Sequence, residues 1–398
     1  MSTNIYIAGI GVISAIGNNV TENLASLKAG TPGMGDMHRL SSIHKGKLPV
    51  AEVKLTNEEL CEQLKLPAHT SRTALLSTVA AKEAVENSGI DIHKYRTGFI
   101  SANSVGGMDK TENFFTQFLQ DNSKGDLHEV INHECGAVTE ITADALGIRD
   151  FVTTVSTACS SSANSIFLGA RLIRQGFLDV VVAGGTDSLT KFTLNGFNTL
   201  MILDSEFCQP MDENRRGLNL GEGAGYVVLV SEKVAESLDE KPTVQITGWA
   251  NANDAHHQTA SSPDGTGNLL AMKGALKKAG LQPSDIDYIN LHGTGTNNND
   301  IAEGTAVKTL FEGNYPAMSS TKSFTGHTLG ASGGIEAVYS ILAIKEGLVF
   351  PNLRFETQMK ELPFKPVTEL HQKEINNVMS NSFGFGGNCS SLVFSKTT

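Results

Sequence analysis

Two stretches far apart in the chain lie over one another without a gap: Cys159 to Gly176 (CSSSANSIFLGARLIRQG) and Gly330 to Gly347 (GASGGIEAVYSILAIKEG). Ile166, Phe167, Ala170 and Ile173 match Ala337, Val338, Ile341 and Ile344. Apolar residues at i, i+1, i+4 and i+7 form one face of a helix packed on a core. Both copies begin with small residues and end in glycine, the expected C-cap. Any two amphipathic helices share part of this pattern, but the surrounding chain also supports duplication. Ile5 to Gly9 echoes Val244 to Gly248, and the strand before Glu232-Lys233 echoes Leu392 to Lys396. The expectation is two similar halves, 1–238 and 239–398, with the boundary near residues 235–243. Halves meeting in the middle bring both helix N-termini to one cleft, where Cys159 faces the region of His327.

Short β-branched runs (Ile5–Gly9, Phe99–Ser101, Asp179–Gly184, Tyr226–Val230, Val244–Gly248, Asp287–Leu291) alternate with helical stretches at 70–86 and 268–279. That is the pattern of an α/β fold. A chain of 398 residues can bury a large core. A formal charge of −11 without a long basic run argues against a nucleic-acid partner. The five cysteines form no CxxC pair and no metal spacing, which predicts reduced thiols and a cytoplasmic setting. The start, Met1-Ser2-Thr3-Asn4, has no basic n-region, so no signal peptide is expected. No apolar run approaches the ~20 residues of a membrane-inserted helix.

Cys159 stands where an apolar strand passes into a helix, among Ser160, Ser161 and Ser162. A thiol there meets unpaired backbone N–H groups and the helix dipole, which predicts a thiolate nucleophile. His292 follows a strand end in His-Gly-Thr-Gly-Thr, and His327 sits in KSFTGHTLG. Lys322 lies five residues before His327 and would disfavour protonation of both rings. Two neutral imidazoles donating Nε2–H to one carbonyl oxygen would stabilise an enolate. Glu336 falls among apolar helix residues and needs a partner, for which Lys322 is the candidate. Asp300 reads either as an acidic group beside the histidine motifs or as an N-cap of the following helix. Thr294 and Thr296 offer hydroxyls to a polar linker such as pantetheine. Phe383 and Phe385, among the glycines of NSFGFGG, suggest a hinged aromatic gate. Arg215-Arg216 reads as a solvated loop pair, and His256-His257 as loop.

Together TACSSS (157–162), DENRRGLNLGEGAG (212–225), HGTGT (292–296), KSFTGHTLGASGG (322–334) and NSFGFGG (381–387) resemble the β-ketoacyl-[acyl-carrier-protein] synthases. The resemblance spans essentially the whole chain. It implies a thiolase fold: duplicated βαβαβαββ halves in a five-layer α-β-α-β-α arrangement, in a homodimer or a heterodimer with a related subunit. It implies Cys159 as acyl acceptor, His292 and His327 as the decarboxylating pair, and Lys322 and Glu336 as their support. Asp300 would be structural. Backbone N–H groups of Cys159 and Phe385 would form the oxyanion hole, with Phe385 as gate. Some relatives hold a structural monovalent cation at positions matching Asn290, Glu303, Glu336, Ser380 and Asn381. No cofactor is implied beyond the phosphopantetheine of acyl carrier protein, the expected partner, with Lys65 and Arg72 as candidate docking residues. HGTGT followed by Asn297-Asn298-Asn299, and GGNCSS at 386–391, depart from the usual elongation synthases and point toward a specialised pathway. The rivals are a non-catalytic chain-length factor, which lacks the nucleophile, and a thiolase, which would use Cys389 as a second cysteine.

Overall fold

The computed structural model describes residues 4–397. Its strands in chain order are β1 Ile5–Ser14, β2 Thr97–Ala102, β3 Phe151–Val155, β4 Val180–Asp187, β5 Gly223–Ser231, β6 Val244–Asn253, β7 Tyr288–Asn290, β8 Ala317–Ser319, β9 Leu348–Val349, β10 His371–Gln372, β11 Asn377–Phe383 and β12 Asn388–Lys396. The helices are α1 Val20–Ala29, α2 Asn57–Leu64, α3 Arg72–Ser88, α4 Met108–Gln120, α5 Cys135–Leu146, α6 Ser161–Arg174, α7 Lys191–Thr199, α8 Glu232–Glu236, α9 Thr266–Ala279, α10 Asn297–Phe311, α11 Lys322–Thr325 and α12 Ser332–Glu346.

Ten strands make one sheet in the order β3-β2-β4-β5-β1-β6-β12-β11-β7-β8, and β9 pairs with β10. Each set of five repeats one topology. Counted from its own first strand, each runs third, second, fourth, fifth, first. β2 runs parallel to β3 and β4, as β7 does to β8 and β11, and β5 and β12 run antiparallel to their neighbours. Among the described residues, the sets join through one residue pair, Tyr6 opposite Gln245. The helix repeat read from the sequence is therefore matched by a sheet repeat.

Helices α6 and α12 lie together between the two sets of strands. α12 is buried from Ser332 through Ile344. Ser162 Oγ accepts the Gly334 N–H at 2.7 Å, which ties the two helix starts together. Helices α3 and α5 cover the outer face of the first set, and α9 and α10 that of the second. The stack is α-β-α-β-α. Helix α3 begins where Ser71 accepts the Ala74 N–H and ends at Gly89, with φ 63°. It approaches β1 so closely that a Cβ on Gly9 or Gly11 would sit 2.1 Å from the carbonyl oxygen of Ala84 or Ala80.

Three expectations need correction. Arg72 is buried in the first turn of α3, not displayed on the surface. Its Nε and Nη2 donate to Glu222 at 2.8 and 2.7 Å, and Nη1 to Asn57 at 2.8 Å. A guanidinium held this way serves packing and is closed to a carrier protein, whereas Lys65 is exposed. Arg215 is not solvated. Its side chain is 8% exposed and donates to the carbonyl oxygens of Asp212, Thr296 and Asn297. Asp300 is not an N-cap. Thr296 caps α10 by accepting the Asn299 N–H, and Asp300 lies in the first turn.

Candidate active site

The loop after β3 turns the thiol inward. Ala158 takes a left-handed φ of 51°. The Thr157 N–H donates to Ser161 Oγ at 2.8 Å, and Ser160 Oγ donates to Asn388 Oδ1 at 2.7 Å. The small residues that follow the nucleophile thus close its own turn. His292 comes off β7 into a loop shaped by two buried carboxylates. Glu303 accepts the N–H groups of His292 and Gly293 at 2.9 and 2.8 Å. Asp300 accepts those of Met211 and Thr294 at 2.7 and 3.0 Å. His327 is held by its backbone: its N–H donates to the Asn219 carbonyl at 2.7 Å, and its carbonyl accepts the Gly221 N–H at 3.0 Å.

These loops bring the three motifs together. His327 Nε2 lies 3.1 Å from Cys159 Sγ. The two imidazole rings meet edge to face, 5.4 Å between centroids. His292 Nδ1 faces Lys322 Nζ at 3.2 Å, and Lys322 also pairs with Glu336 in the buried interior. His327 Nδ1 accepts the Leu329 N–H at 3.1 Å. An ammonium and a backbone amide can only donate, so both Nδ1 atoms are acceptors and the neutral rings carry hydrogen on Nε2. Burial holds both histidines well below their ordinary range, and Lys322 adds to it.

Sulfur and nitrogen atoms of Cys159, His292 and His327 lie within 4.8 Å of one another, a spacing that could suit a metal ion. The partners of Nδ1 oppose that use, because coordination at Nε2 would move a proton onto Nδ1, against Lys322 and the Leu329 amide.

The expectation of a thiolate at a helix start is overturned. Burial pushes the Cys159 thiol up to about 11, and the Phe385 N–H, Lys322 and its own N–H only partly offset this. The same two N–H groups converge on the sulfur, which is how an oxyanion hole is built. Gly384 brings this loop in: a Cβ there would lie 3.1 Å from the Cys159 nitrogen. The Gly386 N–H donates to the Gln258 carbonyl at 2.7 Å, and Asn253 Nδ2 donates to the Gly386 carbonyl at 3.0 Å. The Phe385 ring stacks on Phe197 at 5.7 Å, and the Phe383 ring stands against His292 at 6.1 Å.

A cavity of about 220 Å³ reaches Cys159, His292 and His327 past Phe385, Thr294 and Thr296. The two threonine hydroxyls share a hydrogen bond of 2.9 Å. Asn381 Nδ2 donates to Glu303 at 3.1 Å, and Ser380 pairs with Asn290 across β11 and β7. Asn290 Nδ2 donates to the Glu336 carbonyl at 3.4 Å. Glu336 Oε2 is buried without a hydrogen-bond partner. This oxygen-rich set, with one unmatched carboxylate oxygen, fits a monovalent cation.

Three contributors escaped the sequence reading. Asp187, at the end of β4, accepts the N–H groups of Ser104, Val105 and Gly330 at 2.9, 3.1 and 2.7 Å. It fastens the loop after β2 to the His327 loop, and burial pushes it up to about 6. Asn388 accepts from Ser160, Asn164 and Asn251. Phe197, on α7, stacks on the Phe385 ring. An acid ending a buried strand in Gly-Gly-Thr-Asp was a readable signal for Asp187. Asn388 and Phe197 depend on partners distant in sequence.

The family "Beta-ketoacyl synthase, N-terminal domain" matches residues 2–235, and its C-terminal domain matches 244–356. A 3-oxoacyl-[acyl-carrier-protein] synthase 2 of Staphylococcus aureus is 33% identical, covering 100% of this chain and 99% of its own. That of Coxiella burnetii is 32% identical over 98% of each. The ishigamide ketosynthase/chain length factor superposes with a TM-score of 0.95 at 28% identity, over 100% of both chains. The ketosynthase ApeO, in complex with its chain length factor ApeC from Xenorhabdus doucetiae, gives 0.85 at 31% identity, over 99% of this chain and 98% of the other. With the five-layer thiolase architecture and the converging cysteine and histidines, these matches place the chain in the β-ketoacyl synthase family of acyltransferases.

Proposed function

We propose that the protein performs decarboxylative Claisen condensation, with Cys159 accepting the acyl group and His292 and His327 handling malonyl-carrier protein. Two imidazoles fixed as Nε2–H donors beside one buried sulfur carry this reading. The Cys159 thiol attacks the acyl thioester, its proton passes to the departing pantetheine sulfur, and the N–H groups of Cys159 and Phe385 receive the negative oxygen while the carbon–sulfur bond to pantetheine breaks. Malonyl-carrier protein then loses CO2, and both Nε2–H groups hold the enolate oxygen. The enolate carbon attacks the acyl carbonyl and expels Cys159, leaving a β-ketoacyl chain two carbons longer. Lys322 and Glu336 position His292, and Phe385 with Phe383 gates the cavity. Thr294 and Thr296 meet the pantetheine amides. Asn290, Glu303, Glu336, Ser380 and Asn381 would hold a structural cation.

The substrates travel on acyl carrier protein in the cytoplasm. Among the described residues, no helix is long and apolar enough to cross a membrane. The two halves are 1–238, carrying the nucleophile, and 239–398, carrying both histidines. Helix α4, which has no buried residue and exposes Phe115, Phe118 and Leu119, offers an apolar face to a second subunit, either a copy of this chain or, in a specialised pathway, a chain-length-factor-like partner. Lys65, exposed at the end of α2, is the remaining charged candidate for the carrier. Intact-protein mass spectrometry with short, long and polyunsaturated acyl-carrier proteins tests the reading. An acyl adduct on Cys159 supports it, and the preferred chain identifies the pathway type. Carrier binding without any adduct would sink it.

A further inference from the structure

Arg354, between β9 and β10, takes a left-handed φ of 63°. L residues resist that region, and one stays there only where its surroundings hold it. Here the side chain supplies the hold. Nε donates to the Cys208 carbonyl at 3.0 Å, and Nη2 donates to the Ser323 carbonyl. The guanidinium lies over the Phe207 ring, 5.5 Å from its centroid. Gln209 Nε2 donates to the Arg354 carbonyl at 3.2 Å. One residue earlier, the Leu353 N–H donates to Ser323 Oγ at 3.1 Å. Two successive residues thus grip Ser323, one at its carbonyl and one at its hydroxyl. The other end of the bridge is anchored, because Cys208 is buried and its N–H donates to Asn219 Oδ1 at 2.7 Å.

We propose that Arg354 is a positioning residue for Lys322: by bridging the Cys208 and Ser323 carbonyls it fixes α11, and so sets the Lys322 ammonium against His292 for decarboxylation. This rests on the condensing-enzyme reading above. Lys322 and Ser323 are the first two residues of α11, which has only four. A helix that short has little stability of its own, so outside contacts decide where it sits. The Lys322 stem is buried and passes any shift of α11 to Nζ, which stands 3.2 Å from His292 Nδ1. Small displacements at such a contact are costly to a reaction that depends on orientation. Arg354 does this from outside the substrate path. It lines a separate cavity of about 630 Å³ with Phe207, and no residue of that cavity lines the one that reaches Cys159.

The test follows the two half-reactions separately in the wild type, Arg354→Met and Arg354→Lys: acylation of Cys159 by an acyl-carrier protein, and release of CO2 from malonyl-carrier protein. Methionine keeps an unbranched stem and the same backbone strain but has no donor. Lysine keeps the charge and can serve one of the two carbonyls. The expected result is a fall of about tenfold or more in kcat for CO2 release in Arg354→Met, with KM unchanged, and a smaller fall in Arg354→Lys. Acylation should stay within about twofold of the wild type in both. Equal losses in the two half-reactions would overturn the assignment, since they would mean general support of the fold. So would unchanged CO2 release in Arg354→Met. Should Arg354→Met fail to fold, Arg354→Lys decides alone: a loss confined to kcat for CO2 release supports the assignment, and full activity overturns it. A wild type that is neither acylated nor able to release CO2 would instead remove the condensing-enzyme reading itself.

Discussion

At the scale of single residues, the resting state of the site is neutral where the chemistry needs it neutral. The lowered histidines keep their Nε2–H form as pH falls through the ordinary imidazole range. Because the shift is downward, acid removes the active form only well below that range. Decarboxylation of malonyl-carrier protein should therefore stay level as pH falls through the ordinary imidazole value of about 6.5 and decline only well below it. An acid limb near the ordinary imidazole value would contradict the assignment. Replacing His292 by Ala removes one enolate donor and should slow decarboxylation by about 10²–10³-fold. The cysteine behaves in the opposite sense. With its thiol pushed up to about 11, alkylation of Cys159 by iodoacetamide should keep climbing through alkaline pH. A plateau already reached at neutral pH would show that the convergent N–H groups outweigh burial. Lys322 has two partners, His292 and Glu336. Lys322→Ala strands a buried carboxylate and should destabilise the fold by about 3–5 kcal/mol in denaturant titrations. Lys322→Arg should recover part of that loss if charge alone matters.

At the scale of elements, the loop after β11 controls the sulfur. Gly384 has an extended backbone, φ −100° and ψ 160°, so alanine there meets no conformational penalty. Its Cβ would, however, press on the Cys159 nitrogen and the Thr157 carbonyl, at 3.1 and 3.2 Å. The Phe385 N–H would move away from the sulfur with the loop. Gly384→Ala should keep its thermal midpoint while acylation drops by about 10–100-fold in single-turnover mass spectrometry. An equal loss of stability would mean that the loop supports the core and not the oxyanion. Gly334 is the contrasting case. It sits in α12, where alanine is ordinarily the better helix former. A Cβ there would lie 2.4 Å from the Gly225 carbonyl. Close approach of helix and sheet should win, with Gly334→Ala costing about 1–3 kcal/mol.

At the scale of the whole molecule, the ten-stranded sheet leaves β3 at one end. An open edge strand offers unpaired backbone groups to another chain, and Val152 on β3 is 36% exposed. The protein in solution should run at about twice the chain mass, alone or with a related subunit. Val152→Arg should shift it toward the single-chain mass in light scattering. A single-chain mass for the wild type at micromolar concentration would remove the dimer from the proposal.

The sequence by itself determined the two buried helices and the three chemical motifs. Helical periodicity and glycine punctuation are local, and Cys159, His292 and His327 sit in distinctive local settings. The pairing of Lys322 with Glu336 was also legible, because a carboxylate among apolar residues requires a partner. Tertiary structure decided what depends on burial and distant contacts. Arg72 went inside because Glu222, 150 residues away, waits there. Asp300 folds back on Met211 and Thr294 instead of capping a helix. The helix-start argument for a thiolate counted nearby N–H groups but could not count the water removed around the sulfur. Desolvation is summed over everything that surrounds a group, and that sum exists only once the chain has folded.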